Sequence, residues 1–98
     1  MIGLTRALAI ETARTNVTVN AVCPGYVDTE MTARTIANIT SKTSHSSEEA
    51  LASLVAHNPQ RRLILPTEIA GAVVWLCSDG AESVTGQSIV IAGGELMP

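Results

Sequence analysis

The segment from Val17 to Thr29, Val-Thr-Val-Asn-Ala-Val-Cys-Pro-Gly-Tyr-Val-Asp-Thr, constrains the fold of this chain more than any other. Its first half is rich in β-branched residues. In an extended run, Val17, Val19, Ala21 and Cys23 share one face and Thr18, Asn20 and Val22 the other. Neither face carries a charge, as expected of a parallel strand covered by helices on both sides. Pro24-Gly25 ends the run, because proline offers no N–H to a ladder and glycine tolerates turn conformations. Thr29 follows as a residue able to cap a helix. In open parallel sheets, ligands bind in the crevice outside the carboxyl ends of the strands. The loop from Pro24 to Thr29 is therefore the candidate binding segment.

Composition excludes several alternatives. Ninety-eight residues make one small domain or part of a larger one, and 46% hydrophobic content is too high for a disordered chain. Six basic residues stand against nine acidic ones, and no basic cluster exceeds Arg61-Arg62, so nucleic acid is not an expected partner. Cys23 and Cys77 lie far apart in apolar segments and are expected to be free, buried thiols. His45 and His57 have no further ligands at metal-binding spacing, so no metal site is expected. The longest wholly apolar run, Ala72 to Cys77, is too short to span a bilayer. With no leader-like start, the expectation is a cytoplasmic chain without membrane contact.

Periodicity orders the elements. Met1 to about Arg14 reads as a helix without an N-cap, so its start is expected upstream of Met1; Asn16 suits a left-handed C-cap. A strand is predicted over Val17–Cys23 and a helix over Thr29 to about Ile39, followed by a polar link from Thr40 to Ser47. Ser46 and Glu49 form a capping-box pattern opening a helix to about His57, which Asn58-Pro59 stops. A helix from about Thr67 to Ser78 is apolar nearly all round and is expected to be packed on most sides. A strand over Ser88–Ala92 precedes Gly93-Gly94. The fold class is therefore α/β: about two strands and four helices, paired in parallel through right-handed crossovers. Two such strands do not make a stable sheet alone, so the chain reads as a piece of a doubly wound parallel sheet.

Five motifs in order now carry a family resemblance. They are Asn20-Ala21-Val22-Cys23-Pro24-Gly25, Pro66-Thr67-Glu68-Ile69-Ala70, Leu76-Cys77-Ser78-Asp79, Thr85-Gly86-Gln87-Ser88-Ile89 and Gly93-Gly94. Together they resemble the C-terminal part of short-chain dehydrogenases/reductases, over essentially all 98 residues. The resemblance implies the C-terminal portion of a Rossmann-like sheet that binds NAD or NADP. Residues 1–98 would be a partial dinucleotide-binding domain, with a substrate lid over about 29–63. Pro24 and Gly25 would run beside the nicotinamide, Val27 would offer its backbone to the carboxamide, and the Thr29 hydroxyl would contact carboxamide or pyrophosphate. Asp28 receives no role. Ala92 stands where many relatives carry Asp.

The family's chemistry is hydride transfer between nicotinamide and a carbonyl or secondary alcohol, assisted by a Tyr-x-x-x-Lys pair. No such pair exists here: Tyr26 is the only tyrosine and position 30 is Glu. The glycine-rich phosphate loop is absent too. No catalytic residue is assigned, and the chain looks like the carboxyl part of a longer enzyme, expected to bind no cofactor alone. Its pattern is closest to reductases of 3-oxoacyl thioesters and polyketides, acting on a small carbonyl or alcohol. Met31, Ile36, Ile39, Leu51, Leu54 and Val55 either line a substrate pocket or pack the lid. Arg61-Arg62 reads as an ion-pair anchor, and Thr85-Gly86-Gln87 as structural. Homo-oligomerisation is expected. The alternatives are a non-catalytic oligomerisation module and an unrelated small α/β module, the latter excluded if the two strands prove parallel and adjacent.

Overall fold

The computed structural model describes residues 1–96. Its elements are α1 (Ile2–Thr12), β1 (Ala21–Pro24), α2 (Glu30–Lys42), α3 (Ser47–Leu54), α4 (Pro66–Leu76), a 3-10 turn (Asp79–Ala81) and β2 (Ser88–Ile91). The strands are adjacent and parallel, in the register Ala21↔Ser88 to Pro24↔Ile91.

β1 is shorter at its start than the predicted Val17–Cys23 strand. The reason lies opposite it. The Val19 N–H donates to Thr85 Oγ1 at 3.0 Å, and the Gly86 N–H donates to the Val19 carbonyl at 2.7 Å. The Asn20 carboxamide donates to the Val84 carbonyl (2.9 Å) and accepts from the Gln87 N–H (3.1 Å). Val19 and Asn20 thus grip a turn, and the ladder starts only where β2 does. Thr85-Gly86-Gln87 is structural, as expected, with Gly86 at φ 74°.

Helix ends moved for local reasons. Asn16 adopts a left-handed conformation, φ 62°, but it is not the C-cap: α1 ends at Thr12, two residues short of Arg14, with Ala13 as a right-handed cap. α2 runs three residues beyond Ile39, through the start of the polar link. The Thr40 and Ser41 hydroxyls bond back to the carbonyls of Ala37 (2.8 Å) and Asn38 (3.0 Å), which lets polar residues stay helical. α3 opens with the expected capping box: Ser46 Oγ accepts from the Glu49 N–H and the Glu49 carboxylate accepts from the Ser46 N–H.

α4 corrects a second expectation. It contacts chiefly β1 and the 3-10 turn, and no residue in it is buried. Val74 is 70% exposed and Trp75 48%. Cys77 is exposed and Cys23 only half-buried, so the thiols are free but not buried. An all-round apolar helix states what it prefers to touch, and the described residues cover one side of it. The same holds for Ile2, Leu4 and Ile10 on α1. The buried core is small and alanine-rich, with Ile64 its largest fully buried side chain. The radius of gyration is 16.8 Å, against about 13 Å for a closed domain of this length. The accessible surface, 6952 Å², exceeds that of a closed globule of this mass by on the order of 1,600 Å².

Candidate binding corner at the carboxyl end of the sheet

β1 ends at the corner that the sequence singled out. The Gly25 N–H still donates to the Ile91 carbonyl at 3.0 Å. A side chain on Gly25 would meet the Cα and Cβ of buried Ala92 at 3.3 Å, so glycine lets the corner lie close on β2. Ala92 in place of an acid therefore serves packing here.

Beyond Gly25 the chain makes a contact not foreseen in the sequence. Val27 forms an isolated parallel bridge with Ile64: the Ile64 N–H donates to the Tyr26 carbonyl (2.9 Å) and the Asp28 N–H to the Ile64 carbonyl (2.8 Å). The bridge uses the groups flanking Val27 and leaves its own N–H without an acceptor among the described residues. The Val27 carbonyl accepts from the buried Thr32 hydroxyl, which ties the corner to the first turn of α2. Thr32 was also missed; its signal was a threonine one turn into a helix opened by another threonine.

Thr29 occupies the N-cap position but does not cap with its side chain. Its hydroxyl lies 3.5 Å from the Val27 carbonyl and is exposed. The N–H groups of Glu30, Met31 and Thr32 therefore have no acceptor among the described residues. The corner brings together the Val27 N–H, the Thr29 hydroxyl and a helix N-terminus of thirteen residues. Such an array suits amide carbonyls and phosphate oxygens. Pro24 is exposed at the strand end beside it.

The turn from Asn58 to Arg62 lies close to this corner. Asn58, buried, accepts from the Gln60 N–H on Oδ1 (2.7 Å) and donates from Nδ2 to the Arg62 carbonyl (3.0 Å). The tail passes tightly over it, as expected of Gly93-Gly94: both have positive φ, and the Gln60 N–H donates to the Gly93 carbonyl at 3.2 Å. Of the two arginines, only Arg62 is the expected ion-pair anchor. It grips Glu68 with two bonds of 3.0 and 2.8 Å, and Glu68 also accepts from the Leu65 N–H at 2.7 Å. A cavity of about 820 Å³ opens between α3 and residues 61–65. Leu51 and Val55 line it, but Met31, Ile36, Ile39 and Leu54 do not, and Met31 is 77% exposed. Among the described residues no cluster able to hold a metal ion is found, and no helix is long and apolar enough to cross a membrane.

The Arg62 guanidinium and the Leu65 N–H hold the Glu68 carboxyl down at about 2. Because the folded value is depressed, the tie is complete above the ordinary carboxylate range and is lost as pH falls through about 2. The Glu68 side-chain carboxyl 13C resonance is expected to titrate near pH 2 in the wild-type chain. In Arg62→Gln its midpoint should rise toward the ordinary glutamate value.

Comparison with known proteins adds the family. The family model described as Enoyl-(Acyl carrier protein) reductase matches residues 1–95. The chain belongs to the short-chain dehydrogenase/reductase family. An acetoacetyl-CoA reductase of Acinetobacter sp. is 40% identical over 99% of this chain and 35% of its own length. A variant of actinorhodin polyketide ketoreductase, solved with NADPH, is 41% identical and superimposes with a TM-score of 0.84 over 96% of this chain and 36% of its own. A short-chain dehydrogenase family protein from Francisella tularensis is 35% identical, TM-score 0.90, over 96% and 39%. The chain thus spans little more than a third of the length of these relatives. The two parallel strands and their helices are a portion of the family's Rossmann-like sheet, and the reading as an unrelated α/β module falls away.

Proposed function

We propose that this short-chain dehydrogenase/reductase chain forms the nicotinamide-covering and lid part of an NAD(P)-dependent oxidoreductase acting on a carbonyl or secondary alcohol, with 3-oxoacyl thioesters as the substrate class. The observation that carries this reading is the Val27 N–H, held unbonded by the bridge on either side of it. Such a donor fits the carboxamide of NAD or NADP. Pro24 and Gly25 would flank the ring; the Thr29 hydroxyl and the free N–H groups of α2 would meet pyrophosphate oxygens. The bound dinucleotide supplies the hydride. This chain's residues orient the ring and, through the lid, exclude water from it. Residues 29–63 act as that lid, and the cavity beside Asp28 receives part of the substrate. The names of the acetoacetyl-CoA and polyketide relatives support the thioester class. The exposed apolar residues of α1 suit assembly with a second copy.

The test is a chimera in which residues 1–95 replace the matching part of actinorhodin polyketide ketoreductase. It should reduce a ketone with NADPH. In it, Thr29→Ala should weaken NADPH binding about tenfold, the effect of a hydrogen bond to a charged group. Thr32 is a positioning residue. Thr32→Val leaves the Val27 carbonyl without its donor, at a stability cost of about 1 kcal/mol. NADPH affinity should fall several-fold in Thr32→Val and stay near wild type in Thr32→Ser. Unchanged affinity in both Thr29→Ala and Thr32→Val would remove the corner from cofactor binding.

A further inference from the structure

Arg61 has no part in the ion pair that holds its neighbour. Arg62 is bound to Glu68, whereas the Arg61 guanidinium has no hydrogen-bond or ion-pair partner among the described residues. It is exposed and lines the cavity between α3 and residues 61–65. Its backbone is also unusual, with φ at 54°, in the left-handed region that disfavours any residue with a Cβ. The conformation is imposed. The Arg61 N–H donates to the Asn58 carbonyl (2.8 Å), and the Asn58 side chain holds both Gln60 and the Arg62 carbonyl. Glycine would suit this backbone better. An unpaired arginine held in a strained turn at the wall of a cavity points from strain to function.

The cavity itself narrows the ligand. Its volume, about 820 Å³, lies in the range of small-molecule sites. Leu51 and Val55 form one wall, with Leu63 and Leu65 opposite. Asp28 and Glu48 line it as well, while Glu68 is neutralised by Arg62. Any attraction for an anion is therefore local to Arg61, and the two carboxylates oppose negative charge elsewhere in the cavity. The fitting ligand is elongated, carries apolar groups close to one anionic group, and is otherwise uncharged.

We infer that Arg61 is a specificity-determining residue that holds the phosphate of a 4′-phosphopantetheine thioester. In that arm the phosphate is joined through one methylene to a carbon bearing two methyl groups, which would lie on Leu51, Val55 and Leu63. A guanidinium presents a planar fork of donors that matches phosphate oxygens. Coenzyme A and carrier-protein thioesters share this phosphate. The inference takes its thioester class from the reductase reading, but the cavity residues it uses all belong to this chain and do not involve the dinucleotide corner's Val27 or Thr29.

The experiment titrates the full chain with 4′-phosphopantetheine and with pantetheine, following the amide resonances of Leu51, Val55 and Leu63. The phosphorylated ligand should bind about tenfold more tightly. Arg61→Gly should abolish that difference without lowering the thermal midpoint, since it removes the cation and relieves the backbone together. Arg61→Lys should retain part of the difference, and Glu48→Gln should increase it. Equal binding of the two ligands, binding of neither, or a difference that survives Arg61→Gly overturns the inference. In the chimera, Arg61→Gly should raise KM for both coenzyme A and carrier-protein thioesters, but not for a phosphate-free thioester of the same acyl group. An effect confined to coenzyme A would assign the contact to its nucleotide end and sink the proposal. An inactive chimera with intact phosphate discrimination would count against the reductase reading alone. An active one without discrimination would count against Arg61 alone.

Discussion

Gly93→Ala is expected to lower the stability of this fold by on the order of 3–5 kcal/mol, the largest effect of any single methyl group here. Two costs add. At φ 63° an alanine enters a region that L side chains avoid, at about 1 kcal/mol or more. Its Cβ would also overlap Asn58 Oδ1 and lie 2.5 Å from Nδ2 and 2.6 Å from Cγ. The Asn58 side chain is buried and holds two backbone groups, so it cannot move aside without leaving them unpaired. Each such loss costs about 1–3 kcal/mol. Chemical denaturation of the chimera, followed by circular dichroism, should show the lowered midpoint. The double variant Gly93→Ala/Asn58→Ala should cost clearly less than the sum of the singles, because the clash is between those two residues. Gly94→Ala should cost less: its Cβ would come 3.1 Å from the Pro59 ring, which can shift. Additive losses at 93 and 58 would show that Gly93 and Asn58 are not in contact.

Ile64→Ala is expected to cost about 2–5 kcal/mol and to weaken NADPH binding as well. Ile64 is 1% exposed and the largest fully buried side chain, and its backbone holds the residues on either side of Val27. Removing its side chain leaves a hole under the bridge, and the bridge is what aims the Val27 N–H. Ile64→Val deletes one methylene and should cost about 0.5–1.5 kcal/mol, with affinity nearly retained. Unfolding midpoints and NADPH titrations of the two chimera variants check this together. A destabilised Ile64→Ala that still binds NADPH at wild-type strength would separate the core from the corner.

Legibility in the sequence followed how local each cause was. Asn16, the Ser46–Glu49 capping box, the tight Thr85-Gly86-Gln87 turn and the glycine tail were readable because each depends on a few neighbouring residues. The parallel pairing and the sharp end of β1 were readable because Val17 to Gly25 combines an uncharged strand with a Pro-Gly stop. The Val27–Ile64 bridge was not, since residues 37 apart in sequence meet there and Leu63-Ile64-Leu65 looks like an ordinary apolar flank. The start of β1 was misplaced because the Asn20 side chain diverts the chain onto a turn, which periodicity does not register. α4 was expected to be covered because apolarity reports a preference for contact and says nothing about which residues supply it. At Thr29 the residue type suggested a cap, yet the hydroxyl turns toward the Val27 carbonyl.

The most direct measurement is a set of nuclear Overhauser effects between the nicotinamide protons and this chain, recorded on the NADPH-loaded chimera. Cross-peaks to Pro24, Gly25 and the Val27 amide are expected, and they should fade in Thr29→Ala in step with its weaker affinity. Saturable NADPH binding with nicotinamide cross-peaks elsewhere, and none to residues 24–29, would contradict the claim that this corner covers the nicotinamide.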